Sequence, residues 1–122
     1  MNKALATQSF IHYELRPTGG GSDLTLKKDV HNLDDSLDRV LSLRPVTWRW
    51  KASRPNDDVQ YGFIAQEVAD VLPQFVNDGT WEDGTTRKFL NIDGMVPYLV
   101  GAIKEQQRQI KELQARIDVL AE

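Results

Sequence analysis

Residues 93–120, "DGMVPYLVGAIKEQQRQIKELQARIDVL", decide the architecture. Apart from Gly94, Pro97 and Gly101, nearly every residue here favours a helix. Pro97 suits the first turn, where its missing N–H costs nothing. Apolar side chains recur at Val96, Leu99, Ile103, Ile110, Leu113, Ile117 and Leu120, and Gln106 fills the one gap. The spacing alternates three and four throughout. That is a heptad seam, with Val96, Ile103, Ile110 and Ile117 at a and Leu99, Gln106, Leu113 and Leu120 at d. A seam this regular points to self-association rather than to a helix that packs only on its own domain. Ile at a with Leu at d leans towards two strands, while a polar Gln106 at d fixes register at a cost in stability. The flanking Gln107, Gln109 and Gln114 carry no charge, so partner choice cannot rest mainly on salt bridges. Periodicity therefore gives an oligomer and leaves its order open.

Upstream of the seam the chain reads as a small mixed domain. Residues 33–43, "LDDSLDRVLSL", place Leu33, Leu37, Val40 and Leu41 on one helical face, with Asn32 as cap and Asp34 and Asp35 at the positive end of the dipole. Pro45 ends that helix. "VTWRWK", residues 46–51, alternates as a half-buried strand and puts Trp48 and Trp50 on one face, expected to be core. "SRPNDD" is a turn, "YGFIAQ" a second strand, and "QEVADVL" a short helix ended by Pro73. Gln66 and Glu67 are expected to satisfy backbone groups at the strand-to-helix corner. "NDGTWEDGTT", residues 77–86, carries two Asp-Gly pairs, the mark of tight turns, and "RKFLNI" is the last strand. The fold class is α+β, a small mixed domain followed by a long helix. Residues 7–15, "TQSFIHYEL", alternate as a strand with no partner before the break at "RPTGGGS".

Composition excludes several functions. A net charge of −3 with mixed signs supplies no basic face for nucleic acid. No apolar run reaches the roughly 18–20 residues that span a bilayer, and the N-terminus has no signal-peptide pattern. The sequence has no cysteine, and its two histidines, His12 and His31, are too far apart to suggest a metal site. Neither cofactor nor metal is expected. Asp57–Asp58 and Glu82–Asp83 read as solvated turn residues, and His31 as exposed or structural.

One stretch carries possible chemistry. "GGGSDLTLKKDV", residues 19–30, puts three glycines before Ser22 and a lysine five residues after it. A serine hydroxyl is a weak nucleophile until a base takes its proton. A lysine serves as that base only while its amine is uncharged, which burial or nearby positive charge favours. Lys27 is the candidate base, with Lys28 beside it. A carbonyl flanked by glycine is open to approach, so the stretch suits a serine that attacks its own chain. By spacing alone, a Ser-x4-Lys pair is a hypothesis awaiting structural context.

The order of the pieces adds that context. "SDLTLK", then the leucine-bearing helix and "WRWK", then "GFIAQEV", then a strand ending near Asp93 and a long helix resemble the C-terminal intramolecular chaperone domain of endosialidase-type phage tailspikes and tail fibres. The resemblance runs from Ser22 to about Ile117. It implies a homotrimer whose core is Val96, Leu99, Ile103, Gln106, Ile110, Leu113, Ile117 and Leu120. It implies a domain that helps the fibre ahead of it in the same polypeptide to fold, then releases itself. It implies Ser22 as nucleophile and Lys27 as general base, flanked at the cleavage site by Gly21 and by Asp23, the acidic residue that follows the serine. The bond broken is either Gly21–Ser22 or the one after Ser22. The implied division is residues 1–21 as fibre end and linker, 22–92 as the globular part and 93–122 as the trimeric coiled coil. Partners would be two further copies and that fibre, with no nucleic acid and no membrane. The place of action would be the host cytoplasm during assembly, and a cleaved domain would be absent from the virion. The alternative is a trimerisation or binding module that stays attached at a fibre tip.

Overall fold

The computed structural model describes residues 20–52 and 54–122, so the strand expected over residues 7–15 lies outside the described residues. The chain forms two compact units, Met1–Asn32 and Leu33–Glu122. Within the first, Leu24–Leu26 form a single 3-10 turn and every described side chain is exposed.

The second unit is mixed, as expected. Helix α1 spans Ser36–Leu41, strand β1 Val46–Trp48, strand β2 Gln60–Gly62, helix α2 Ala65–Val71, strand β3 Val76–Thr80, strand β4 Thr86–Leu90 and helix α3 Val96–Ala121. The strands form two antiparallel hairpins. β1 and β2 pair Val46 with Gly62 and Trp48 with Gln60; β3 and β4 pair Val76 with Leu90 and Thr80 with Thr86.

The core is small. Val68, Leu72 and Met95 are buried at its centre, and Leu43, Phe63, Val71, Phe75, Val76, Leu90 and Tyr98 pack around them. α2 thus turns its apolar side into the unit, and the start of α3 closes over it through Met95 and Tyr98. The Phe75 and Tyr98 rings meet edge to face at 5.7 Å, an arrangement aromatic pairs prefer. α1 lies on α3 where Ser36 faces Gly101, and Ala102 beside it is buried.

Several local expectations need correction. α1 begins at Ser36 rather than at Leu33, because Asp35 takes a left-handed conformation, φ 58°, at the cap position. Asn32 is therefore not the cap. Of the four apolar residues assigned to its face, Leu37 and Val40 are half-buried while Leu33 and Leu41 are exposed. β1 stops at Trp48, since the following loop folds on itself: Arg49 donates to the Asp57 carbonyl, and the Arg54 N–H to Asp57 Oδ2 at 2.6 Å. Trp50 is accordingly not core; it is 53% exposed. Of the two Asp-Gly pairs, only Asp83–Gly84 makes a turn, with Gly84 at φ 82°. Asp78–Gly79 lies inside β3. Glycine is needed there because a Cβ would stand 2.7 Å from the Phe89 ring.

Candidate functional site

Ser22 and Lys27 are brought together by a local turn. Five extended residues would span about 17 Å, so the chain between them has to fold back. It does so through Leu24–Leu26, where the Leu26 N–H donates to the Asp23 carbonyl at 3.0 Å and the Lys27 N–H to the Leu24 carbonyl at 3.1 Å. Asp23 caps this turn: its Oδ1 accepts from the Thr25 N–H at 2.9 Å and from the Thr25 hydroxyl at 2.6 Å. Those bonds, the hydroxyl's first, hold the Asp23 carboxyl below its usual range. Lys27 follows in an extended conformation, and its Nζ donates to Ser22 Oγ at 2.6 Å.

The arrangement has the geometry for proton transfer between hydroxyl and amine, for which heavy-atom contacts of about 2.6–3.2 Å are needed. Gly21, Ser22, Asp23 and Lys27 are all exposed. Among the described residues, a Cβ on Gly20 would meet nothing within 4 Å. Sequence reasoning named the serine and the lysine but missed Thr25. The signal was present, since Asp-x-Thr is a pattern in which an acidic side chain caps the turn that follows.

The seam residues occupy α3. Val96, Leu99, Ile103, Ile110, Leu113, Ile117 and Leu120 are exposed, from 38% at Leu99 to 86% at Leu120. Gln106 is exposed among them. Within one chain, α3 packs on its own unit through Tyr98 and Ala102, with Met95 at its cap, on a different side of the helix from the seam. From Gln106 onward every residue is exposed. The seam is about 36 Å long at 1.5 Å per residue, and it has no partner among the described residues.

Other residues singled out by sequence play structural parts. Glu67 forms a two-pronged ion pair with Arg44, which donates through Nε at 2.9 Å and through a second nitrogen at 2.6 Å. The hydrogen bonds to Arg44 hold the Glu67 carboxyl below its usual range, against a smaller opposing effect of desolvation. Trp48 and Trp50 meet edge to face at 6.0 Å, and Trp50 continues to Trp81 at 6.1 Å and Trp81 to Phe89 at 5.8 Å. Asp83 accepts from Thr85 within its turn, and His31 is exposed. Among the described residues, no group of three or more His, Asp or Glu could hold a metal ion, and no helix is long and apolar enough to cross a membrane.

Residues 22–77 match a family model described as chaperone of endosialidase and named as a peptidase family. Through this segment, which opens on Ser22 itself, the chain belongs to that family. Among curated proteins it is similar to long tail fiber protein Gp37 of Enterobacteria phage K3, with 30% identity over 101 residues that cover 79% of this chain and 8% of that protein. Gp37 of Enterobacteria phage T2 matches at 30% identity over 79% of this chain and 7% of its own length. Gp37 of Salmonella phage S16 matches at 31% over 81% of this chain and 14% of its own length. The chain thus spans a small part of each of these relatives.

Proposed function

We propose that this domain trimerises through α3, assists the folding of a phage tail fibre that precedes it in the same polypeptide, and then releases itself by cutting at Ser22. The observation that carries the reading is the 2.6 Å hydrogen bond from Lys27 Nζ to Ser22 Oγ, at the first residue of the family match. The exposed seam of α3 supports the oligomer. Apolar side chains in water are worth burying at about 25 cal/mol per Å², and seven Val, Ile and Leu residues on one stripe are exposed, without cover among the described residues.

The chemistry favours the bond before the serine. Attack by Ser22 Oγ on the Gly21 carbonyl carbon closes a five-membered ring, whereas attack on the carbonyl of Ser22 itself would close a strained four-membered one. Lys27, as the uncharged amine, takes the hydroxyl proton while Oγ bonds to the Gly21 carbon. The Gly21–Ser22 C–N bond then breaks, and the Ser22 nitrogen receives the proton from Lys27. Water hydrolyses the resulting ester, giving a Gly21 carboxylate and restoring the hydroxyl. Asp23 is engaged by Thr25 and acts here as a cap rather than as a base.

An exposed lysine is a poor base, because water stabilises its charged form. Lys27 is exposed in the single chain. Assembly of three chains on a folded fibre supplies the desolvation, so cleavage follows folding. Interwound fibres must bring distant segments of three chains into one register, a slow search, and a coiled coil raises their local concentration. Removing it afterwards leaves a product that unfolds without a path back. The reaction belongs to the host cytoplasm during assembly.

The test is the intact mass of the chain fused to its native fibre, beside Ser22→Ala. The expected result is a wild-type product that begins at Ser22 and an uncut variant. A Ser22→Ala protein that is cut equally well, or a wild-type trimer that stays whole on a folded fibre, would overturn the proposal.

A further inference from the structure

We infer that Thr25 is a positioning residue for the Ser22–Lys27 pair, acting through Asp23; the inference rests on the self-cleavage reading above. A single 3-10 turn is not stable by itself, since ordering its backbone costs more than one or two hydrogen bonds return. Within one chain, packing among the described residues does not hold it either, for Leu24 is 73% and Leu26 49% exposed and the turn has no buried residue. What remains is the clasp on Asp23 Oδ1. One of its two bonds comes from a backbone N–H, which any residue but proline would supply. The other, from the Thr25 hydroxyl at 2.6 Å, depends on the side chain at this position.

The clasp acts on the pair in two ways. It fixes the direction in which the chain leaves the turn, and so where the Lys27 side chain starts back towards Ser22. It also keeps a carboxylate occupied. Asp23 is the immediate neighbour of Ser22, and an Oδ1 released from Thr25 would compete with Ser22 Oγ for the hydrogen bond from Lys27 Nζ. With Oδ1 bonded twice to Thr25, Lys27 Nζ donates to the serine.

The test compares Thr25→Val, which keeps the branched shape and loses the hydroxyl, with Thr25→Ser, which restores the hydroxyl. Both are made in the full chain on its native fibre, with trimer formation as the control. Thr25→Val should assemble normally and cleave roughly tenfold more slowly, the effect of one hydrogen bond, while Thr25→Ser cleaves at the wild-type rate. A valine variant as fast as wild type, or a serine variant as slow as valine, would overturn the inference. Should the wild-type fusion itself stay whole, the self-cleavage reading falls, and the clasp is judged by amide hydrogen exchange. Protection of the Lys27 N–H lost in Thr25→Val and regained in Thr25→Ser upholds the clasp; equal protection in all three proteins removes it.

Discussion

A side chain on Gly101 would collide with Ser36: an ideal Cβ there lies 2.5 Å from Ser36 Oγ and 3.0 Å from its Cβ. The glycine lets α1 rest on the backbone of α3. Alanine at 101 would gain about 1 kcal/mol of helix propensity, yet the overlap should cost about 1–3 kcal/mol. Gly101→Ala is therefore expected to lower the urea midpoint. Ser36 is 5% exposed and its hydroxyl has no hydrogen-bond partner among the described residues. Ser36→Ala removes an unsatisfied polar group, so it should hold or raise the midpoint and recover part of the loss in the Gly101→Ala background. A midpoint raised by Gly101→Ala alone would mean that α1 yields freely.

Leu72 is fully buried at the centre of the core. Leu72→Ala should cost about 2–5 kcal/mol, a large share of the 5–15 kcal/mol typical of a folded domain. Near-UV circular dichroism should show lost packing or a much earlier thermal transition. A shift of only a degree or two would indicate that the centre of the core lies elsewhere.

Ile110 and Ile117 touch none of the core residues and belong to the exposed seam. Ile110→Lys with Ile117→Lys should reduce the mass measured by sedimentation to that of one chain. The near-UV spectrum of the globular part should stay unchanged. An undiminished mass would move the association surface away from α3.

The Arg44–Glu67 pair is exposed, with side chains 62% and 41% accessible, and its contribution is reduced by water. The sign is still fixed. Arg44 lowers the Glu67 carboxyl in the folded protein, so the pair stabilises above the ordinary glutamate range and loses its effect as pH falls through the lowered folded value. Wild type should be slightly more stable than Glu67→Gln at neutral pH, and the two melting curves should converge in acid. A gap that widens as pH falls would contradict the pairing.

What the sequence discloses depends on how local the cause is. α3 was legible because its period repeats within the stretch itself and Pro97 marks its first turn. The ends of α1 and β1 were not. The first depends on the backbone of Asp35, and the second on a loop that wraps Asp57. Asp78–Gly79 looked like a turn because Asp-Gly usually is one, while the glycine answers to Phe89 across the hairpin. The Ser22–Lys27 spacing was plain, but the distance between their tips depends on a cap at Asp23 that the spacing does not contain. Arg44 and Glu67 lie too far apart in sequence for any local pattern to join them.

Helix α3 carries two stripes on one rod: Tyr98 and Ala102, with Met95 at the cap, grip the domain, and the Ile/Leu row looks elsewhere. Their angular offset is written into the numbering, because each residue turns the rod by about 100°. One residue inserted after Ala102 would swing the row from Ile103 onward by that angle relative to Tyr98 and Ala102. The heading of each domain around any shared axis is thus set by counting residues, and a slip of one would point it the wrong way.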